Sequence, residues 1–208
     1  MKIAVIGANG RSGRIFIESA LSRGHTINAG VHIKNKLLEN EKVKIFKCDA
    51  TNKQELRELL KGQEVVVSLI GHVKGSSATM QSDAIKAIIE VMDELKIKRL
   101  VSLTGTGVRV PGDKITFIDR ILNWGVLLVD PKRIRDGIEH VRIIEKSDLD
   151  WTVVRVLKLQ NIKPMRFDLL EHGPTKLLVS REDVARAILE VIEDNSFIRK
   201  YPILSKKQ

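Results

Sequence analysis

Three glycines near the start of the chain have the spacing of a phosphate-binding turn. Gly7, Gly10 and Gly13 follow a short apolar run and precede a helical pattern. In such a turn the first glycine lets the strand turn sharply, the second lets the backbone approach a pyrophosphate, and the third lets the helix pack closely on the sheet. The helix start adds unpaired N–H groups and a positive dipole end. The stretch predicts a dinucleotide site; the alternative is a glycine-rich turn in another kind of α/β protein.

The end of the second predicted strand bears on the type of dinucleotide. An NAD site usually has an acidic side chain there, about 20 residues beyond the turn, which accepts from the ribose 2′-hydroxyl. Residues 31–36 contain no acid. Arg11 and Arg14 of the turn, together with Lys34 and Lys36, could surround a 2′-phosphate instead. We therefore expect NADP(H) to be favoured over NAD(H), the alternative being that these are ordinary solvated side chains.

A carboxylate follows the third predicted strand. Asp49 stands where the adenine of a dinucleotide should lie, and it could accept from the adenine amino group. Alternatively, Asp49 only shapes the turn before the next helix. Gly71 and the stretch Thr104–Gly107 follow the next two strands, at the edge where open parallel sheets bind ligands.

Strands and helices that alternate along the chain must position these residues. The continuous β-branched run Val65–Val67 is typical of a strand covered on both faces, and apolar residues recur at helical spacing between the strands. The alternation predicts an α/β fold of Rossmann type, a doubly wound parallel sheet with helices on both faces. We expect a single domain over residues 1–208, in which residues 157–204 form a small C-terminal substrate lobe.

The predicted elements have these bounds. Strands are predicted at residues 2–6, 26–31, 43–46, 64–70, 99–103, 151–156, 177–179 and 201–204. Helices are predicted after Gly13, over residues 51–60 with a capping box from Thr51 to Gln54, over 84–95, 115–129 and 136–146, and after the cap Ser180 to Asp183. The apolar helix 115–129 is expected to cover the carboxyl edge of the sheet or to meet another subunit, so the oligomeric state stays open.

Composition excludes several classes of protein. The chain has 208 residues, a formal net charge of +10, 4% aromatic residues and one cysteine, Cys48. The basic residues are dispersed and aromatics are few, so nucleic-acid binding is not expected. No apolar run is long enough to span a membrane, no cluster has metal-ligand spacing, and no secretory signal is visible. We expect a cytoplasmic protein that acts on a small molecule and needs no metal.

Several motifs resemble one family. They are residues 7–13, 48–50, 66–71, 100–105, 147–155 and 179–185, which follow one another in the family's order. Together they resemble the atypical short-chain dehydrogenase/reductases, and more narrowly the NmrA-like NAD(P)-binding proteins that include flavin reductases of the biliverdin-reductase-B type. One departure is that Val156 follows Arg155, where many relatives have a proline beside the nicotinamide.

The resemblance implies a set of cofactor-binding residues. His32 occupies a position that is commonly an arginine meeting the 2′-phosphate in NADP-using relatives. The implied set is Gly7, Asn9, Gly10, Arg11, Ser12, Gly13, His32, Asp49, Ala50, Leu69, Ile70, Gly71, Leu103 and Thr104, to which Lys34 is added from the charge pattern.

The catalytic residues are the open question. The Tyr-x-x-x-Lys pair of the wider superfamily, in which tyrosine is a general acid, does not occur, and the only tyrosine is Tyr201. Arg133 and Gly137 fall near its expected position. Thr104 is a candidate hydrogen-bond donor, as is Thr106, and the best candidate histidine is His72. Two further histidines, His140 and His172, are considered surface or loop residues.

Two functions fit this pattern. The first is NADPH-dependent reduction of a small planar acceptor such as a flavin or quinone, which needs little proton donation, so the protein mainly supplies orientation. Trp124 and Met80 could then form part of a flat apolar pocket. The alternative is a non-catalytic redox sensor of NmrA type that binds NADP(H).

Overall fold

The computed structural model describes residues 1–33, 37, 40–73, 75–105, 107–114, 116–117, 120–121, 124–125, 131–174 and 178–206. Its strands are β1 (Lys2–Ile6), β2 (Thr26–Val31), β3 (Val43–Lys47), β4 (Val65–Ser68), β5 (Arg99–Gly105), β6 (Asp150–Val156), β7 (Leu159–Gln160), β8 (Phe167–Leu170), β9 (Val179–Ser180) and β10 (Ile203–Lys206). Its helices within these ranges are α1 (Arg11–Ser22), α2 (Lys53–Leu60), α3 (Met80–Glu94), α4 (Pro131–Glu145) and α5 (Arg181–Glu193).

Eight strands form one twisted sheet in the order β3-β2-β1-β4-β5-β6-β10-β8. Every neighbouring pair is parallel except β10 with β8. The chain crosses from one half of the sheet to the other between β3 and β4, so the strand order reverses where β1 and β4 lie side by side. In open parallel sheets, ligands bind at the carboxyl ends of the two strands at such a point. This is the Rossmann-type doubly wound fold that the sequence predicts.

Helices cover both faces of the sheet. Alternate residues of β1 point to opposite sides, with Ile3 and Val5 packed under α1 and α5, and Ala4 and Ile6 packed under α2, α3 and α4. The centre of β4, Val65–Val67, is buried on both sides. Continuous apolar strands require this three-layer arrangement, because a bare face would leave them in water.

The predicted capping box at Thr51 is wrong by one residue. The cap of α2 is Asn52, whose Oδ1 accepts from the backbone N–H groups of Gln54 at 3.0 Å and Glu55 at 3.2 Å. Thr51 instead donates its N–H and hydroxyl to Oδ1 of Asp49, at 2.9 and 2.8 Å. The cap predicted from Ser180 to Asp183 is confirmed, with Asp183 N–H donating to Ser180 Oγ at 2.9 Å.

The C-terminal segment divides between two sheets. Strands β8 and β10 extend the main sheet, and α5 packs on its α1 face. Only β7 and β9 pair separately, as a small parallel sheet beyond the end of β6. Strands β7 and β8 have no counterpart among the predicted elements, because both are too short to show a periodic pattern. Of the strand predicted at residues 177–179, residue 177 lies outside the described residues.

The predicted helix over residues 115–129 falls mostly outside the described residues. Of those described, residues 117, 120–121 and 124–125 are helical. Phe117, Ile121 and Trp124 are exposed large hydrophobic residues. None of the helices in the described ranges is both long enough and apolar enough to cross a bilayer.

Candidate functional site

The glycine turn is held in a conformation that other residues would strain. Gly7 has φ +81°, and a Cβ there would lie 2.9 Å from the carbonyl oxygen of Leu69. A Cβ on Gly13 would lie 2.3 Å from the carbonyl oxygen of Gly7 and 2.6 Å from that of Ala8. The N–H of Gly10 donates to Gly7 O at 3.0 Å, which closes the turn. Gly10 itself is exposed at the site edge, so ligand atoms can approach its backbone.

The start of α1 suits an anion. Its N-cap is Gly10, so no side chain caps the helix, and the first turn contains no acidic residue. Ser12 is half-buried, Arg11 is exposed, and Arg14 has a buried Nε without a partner among the described residues. An uncapped helix start beside two guanidinium groups favours a phosphate electrostatically. The residues present therefore fit a dinucleotide pyrophosphate, with Asn9 half-buried in the same turn.

The ends of β2 and β3 bring His32 and Asp49 together. The Nε2 of His32 lies 3.5 Å from Oδ2 of Asp49, and both side chains are substantially exposed. The hydrogen bonds from Thr51 lower the pKa of Asp49, with a smaller contribution from the charge of His32. Asp49 therefore shapes the turn before α2, which is the alternative role that the sequence suggests for it. Its other oxygen, Oδ2, lies on the side of His32. Ala50 is half-buried beside it, and Lys34 lies outside the described residues.

The end of β4 approaches the glycine turn closely. Leu69 N–H donates to Ile6 O at 2.9 Å, so Leu69, Ile70 and Gly71 run alongside the turn. Gln81 Nε2 donates to Ile70 O at 2.9 Å and fixes this segment to the start of α3. Gly71 is exposed at the strand end.

His72 is tied to a buried carboxylate. Its Nε2 lies 2.8 Å from Oδ2 of Asp136, and its Nδ1 lies 3.2 Å from Ser76 Oγ. Asp136 also accepts from the backbone N–H groups of Gln81 at 2.8 Å and Ser82 at 3.0 Å, and from the Ser82 hydroxyl. Asp136, on α4, therefore caps the start of α3. Both ring nitrogens of His72 are engaged in holding this junction, which weakens its candidacy as a proton donor.

Thr104 lies near the end of β5, beside Gly137 of α4. It is buried, with Leu103 half-buried before it. A Cβ on Gly137 would lie 3.6 Å from both Thr104 Oγ1 and Val108 Cγ2, so α4 packs closely on that hydroxyl, with room for about one methyl group. Gly137 falls near the position predicted for the Tyr-x-x-x-Lys pair. Thr106 lies outside the described residues.

A buried ion pair holds the loop after β5. Arg155 on β6 is fully buried and donates to Asp113 Oδ2 at 2.6 Å and Oδ1 at 2.8 Å. It also donates to the carbonyls of Val108, Glu171 and Tyr201. Burial opposes ionisation of Asp113, but hydrogen bonds from Arg155 and from Val110 N–H outweigh it, and its pKa is lowered.

Strand β6 continues through the position at which many relatives have a proline. Val156 pairs with Gly105, so β6 continues one residue past Arg155, where many relatives have the proline. The chain at this point of the site therefore follows a strand.

The other candidate side chains, those of His140, His172 and Tyr201, all lie beside groups of the protein itself. His140, considered a surface residue, is instead buried between Ser102 Oγ at 2.9 Å and Gln81 O at 3.3 Å, and burial lowers its pKa. His172 lies 3.7 Å from Asp113. Tyr201 packs on Trp151 and donates to Glu145, and its pKa is raised by burial and by that carboxylate.

The single thiol is not poised to react. Burial, followed by the charges of Glu55 and Asp49, raises the pKa of Cys48 to about 12. In the part of the chain that the structure describes, no three His, Cys, Asp or Glu side chains come together to hold a metal ion.

Sequence reasoning missed residues that act across the fold. Asp136 and Asp113 are not recognisable from local motifs, because the partners of Asp136 lie 54 or more residues away and the ion-pair partner of Asp113, Arg155, lies 42 residues away. Arg181 was noted only within the cap of α5. The sequence offers one signal for Asp136: a charged residue that falls on the buried face of an amphipathic helix. Its role becomes clear only when the residues packed against it are known.

The chain belongs to the NAD(P)H-binding family, whose model matches residues 7–195. The A622 isoflavone reductase homolog of Nicotiana tabacum is 27% identical over 215 residues, which cover 96% of this chain and 66% of that protein. The chain thus spans just under two thirds of that relative's length. The YwnB protein of Bacillus subtilis is 31% identical over 107 residues, covering 51% of this chain and 48% of YwnB.

Solved structures share the fold across the full chain. A short-chain dehydrogenase/reductase from Veillonella parvula, solved in complex with NADP, superposes with a TM-score of 0.82 at 19% identity, covering 99% of this chain and 94% of the other. SP1627 of Streptococcus pneumoniae, provisionally named an NADH-flavin reductase, gives a TM-score of 0.80 at 21% identity and full coverage of both chains. The resemblance seen in the sequence is therefore confirmed for the NAD(P)H-binding family and for the fold that the chain shares with short-chain dehydrogenase/reductases of known structure.

Proposed function

We propose that this protein is an NADPH-dependent reductase of a small planar acceptor of the flavin or quinone class. The observation that carries the proposal is the start of α1. It is uncapped, free of acids and flanked by arginines, and it lies at the edge where β1, β4 and β5 end. The family match and the NADP complex of the Veillonella parvula relative support the same class of cofactor.

The cofactor-binding residues proposed here are those of the glycine turn and the adjoining strand ends. Gly7, Gly10 and Gly13 shape the turn for the pyrophosphate, while Asp49 and Ala50 lie on the adenine side. Leu69 to Gly71 and Leu103 to Thr104 line the nicotinamide side. When bound, the reduced nicotinamide supplies a hydride.

Reduction of a flavin or quinone asks less of the protein than carbonyl reduction does. The chain's part is to hold donor and acceptor face to face and to exclude water. Thr104, at the carboxyl end of β5, is the proposed hydrogen-bond donor at the reacting centre. His72 is a weaker candidate because its ring is held by Asp136 and Ser76.

A redox sensor that binds NADP(H) without turnover is the alternative. The observation that favours it is the exposed apolar group of Phe117, Ile121 and Trp124, which a partner protein could cover. A reductase could use the same side chains to cover its acceptor.

Turnover separates the two functions. NADPH oxidation is followed at 340 nm (the nicotinamide absorbance) with riboflavin, FMN and a series of quinones as acceptors. Saturable turnover with a planar acceptor supports the reductase. Tight NADPH binding with no turnover on any of these acceptors contradicts it and favours the sensor.

The preference for NADP(H) is tested at His32. Its exposed ring stands at the end of β2, where a carboxylate would repel a 2′-phosphate and accept from a 2′-hydroxyl. His32→Glu should weaken NADPH binding about tenfold or more and leave NADH binding equal or tighter. His32→Gln is the neutral control. Tighter binding of NADH than of NADPH by the wild-type protein would contradict the preference.

A further inference from the structure

Two helices begin side by side at the site. α1 starts where β1 ends, and α5 follows β9, which pairs in parallel with β7 beyond the carboxyl end of β6. Because α5 leads into β10, which is parallel to β6, both helices run from the carboxyl edge of the sheet toward its amino edge. They pack together in one core cluster. Their first residues are Arg11 and Arg181.

Arg181 is buried without a full set of partners. Its side chain is largely inaccessible, at 7% exposure for the residue, and its Nη1 donates to Asn161 Oδ1 at 2.5 Å. Its Nε is buried and has no hydrogen-bond partner among the described residues. Burial, and then the positive charge of Arg11, lower the pKa of Arg181.

The charges around this pair do not cancel. Within the described ranges, no carboxylate lies within ion-pair distance of Arg11, Arg14 or Arg181. The buried Asp183 in the first turn of α5 is already engaged, by Met165 N–H at 3.0 Å and by Arg186. The remaining acid of that turn, Glu182, is exposed.

A buried guanidinium needs hydrogen-bond acceptors, and the buried Arg181 leaves one N–H group without any in the described part of the chain. Arg181 and the exposed Arg11 begin two helices packed together, so their charges and the two helix starts add to one local positive potential, which an anion would relieve. Residues that are strained electrostatically in this way are found at binding sites more often than elsewhere.

We propose that Arg181 binds a phosphate of the dinucleotide from the α5 side, opposite the glycine turn. The inference rests on the proposed cofactor site and adds a residue that lies 168 or more positions away from that turn in the sequence. A phosphate at the start of α1 lies next to Arg11, the first residue of that helix, and Arg181 is the first residue of the helix packed beside it. Because α5 leads into β10, which lies beyond β4, β5 and β6 from β1, Arg181 approaches from the nicotinamide side and faces the phosphate nearer the nicotinamide.

The test compares ligands that contain or lack that phosphate. Dissociation constants are measured by calorimetry for three ligands. NADPH and ADP-ribose both contain the complete pyrophosphate. Adenosine 2′,5′-bisphosphate contains the adenine-side phosphate but lacks the phosphate on the nicotinamide side. Arg181→Met should weaken NADPH and ADP-ribose about tenfold or more. It should change the affinity for adenosine 2′,5′-bisphosphate by about twofold at most.

Three controls separate binding from structure. Arg142→Met makes the same charge change on the exposed surface of α4 and should leave all three affinities unchanged. Asn161→Ala removes the contact that holds Arg181 and should weaken NADPH much less than Arg181→Met does. If Arg181→Met fails to fold by circular dichroism, Arg181→Lys replaces it, with a smaller loss confined to the same two ligands.

Each other outcome overturns the assignment. Unchanged NADPH affinity in Arg181→Met removes Arg181 from the site and leaves the proposed function standing. Equal losses for all three ligands indicate a structural role. A higher KM for FMN but not for riboflavin, with unchanged NADPH affinity, assigns the anion to the acceptor. A wild-type protein that binds no dinucleotide overturns the proposed function and this inference with it.

Discussion

At the scale of single residues, Asp113 is the clearest case of a charge held by its partner. Its carboxylate and the Arg155 guanidinium form a two-pronged ion pair that water hardly reaches. Removing one member leaves the other charge buried and uncompensated. Asp113→Asn should therefore lower the free energy of unfolding by about 3–5 kcal/mol at neutral pH, measured by urea denaturation.

The pH dependence of the same pair has a definite sign. The pKa of Asp113 is lowered on folding, so its contribution to stability is present above the unfolded pKa of about 3.9 and is lost as pH falls through the folded value. The stability difference between wild type and Asp113→Asn should shrink below about pH 4. The exposed Asp148→Asn is the control, and a pH-independent difference would contradict the account.

Gly13 is fixed by space rather than by conformation. Because a Cβ would meet two backbone carbonyl oxygens at less than 3 Å, the turn must shift to admit even a methyl group. Gly13→Ala should lower the free energy of unfolding by about 2–3 kcal/mol. Gly125→Ala, where no described atom lies within 4 Å of the added methyl group, should leave it unchanged or raise it by up to about 1 kcal/mol through helix propensity. Equal effects would show that helix propensity, not crowding, governs position 13.

At the scale of elements, α3 depends on a residue from α4. Sequence patterns place its start at Ala84, whereas the helix begins at Met80 because Asp136 caps its first N–H groups. Asp136→Ala leaves the buried N–H groups of Gln81 and Ser82 without acceptors, which should cost about 2–4 kcal/mol in chemical denaturation.

The nominal N-cap of α3 supplies the matched control. Thr79 makes no side-chain cap hydrogen bond, so Thr79→Ala should cost about 1 kcal/mol or less. A larger effect of Thr79→Ala than of Asp136→Ala would show that the start of α3 is set locally. Asp136 also carries His72, so its loss should loosen the segment that follows β4.

At the scale of the whole molecule, charge and topology act together. The chain carries a net charge of +10, and its parallel strands gather the basic glycine turn and the other strand ends at one edge. An anionic dinucleotide should bind more weakly as salt rises, because a Debye length of about 10 Å at 0.1 M falls to about 3 Å at 1 M. NADPH titrations across that range should show a steady loss of affinity. Salt-independent binding would contradict an electrostatic site.

Patterns that repeat locally predict the fold well. The bounds of β2, the continuous apolar β4 and the Ser180 cap all follow from periodicity and capping chemistry, since each depends on neighbours within a few residues. The cap of α2 shows the limit: Thr51 and Asn52 are both good caps, and only the engagement of Thr51 with Asp49 leaves the role to Asn52. The short strand β8 has no periodic signal and exists because β10 offers it an edge.

The sequence by itself determined the phosphate-binding turn, the Rossmann-type fold and the family, because glycine spacing and alternating strands and helices are properties of consecutive residues. Only the tertiary structure decided which charges are buried and with whom. It joined Asp136 to the start of α3 and Arg155 to Asp113, and it packed α5, which begins at Arg181, beside α1, which begins at Arg11. These pairs are distant in the chain, and their energies depend on burial and on distances of a few ångströms, which no spacing in the sequence encodes. The glycine turn therefore predicts a cofactor from sequence alone, while the second arginine proposed to meet it emerges only when α5 is packed beside α1.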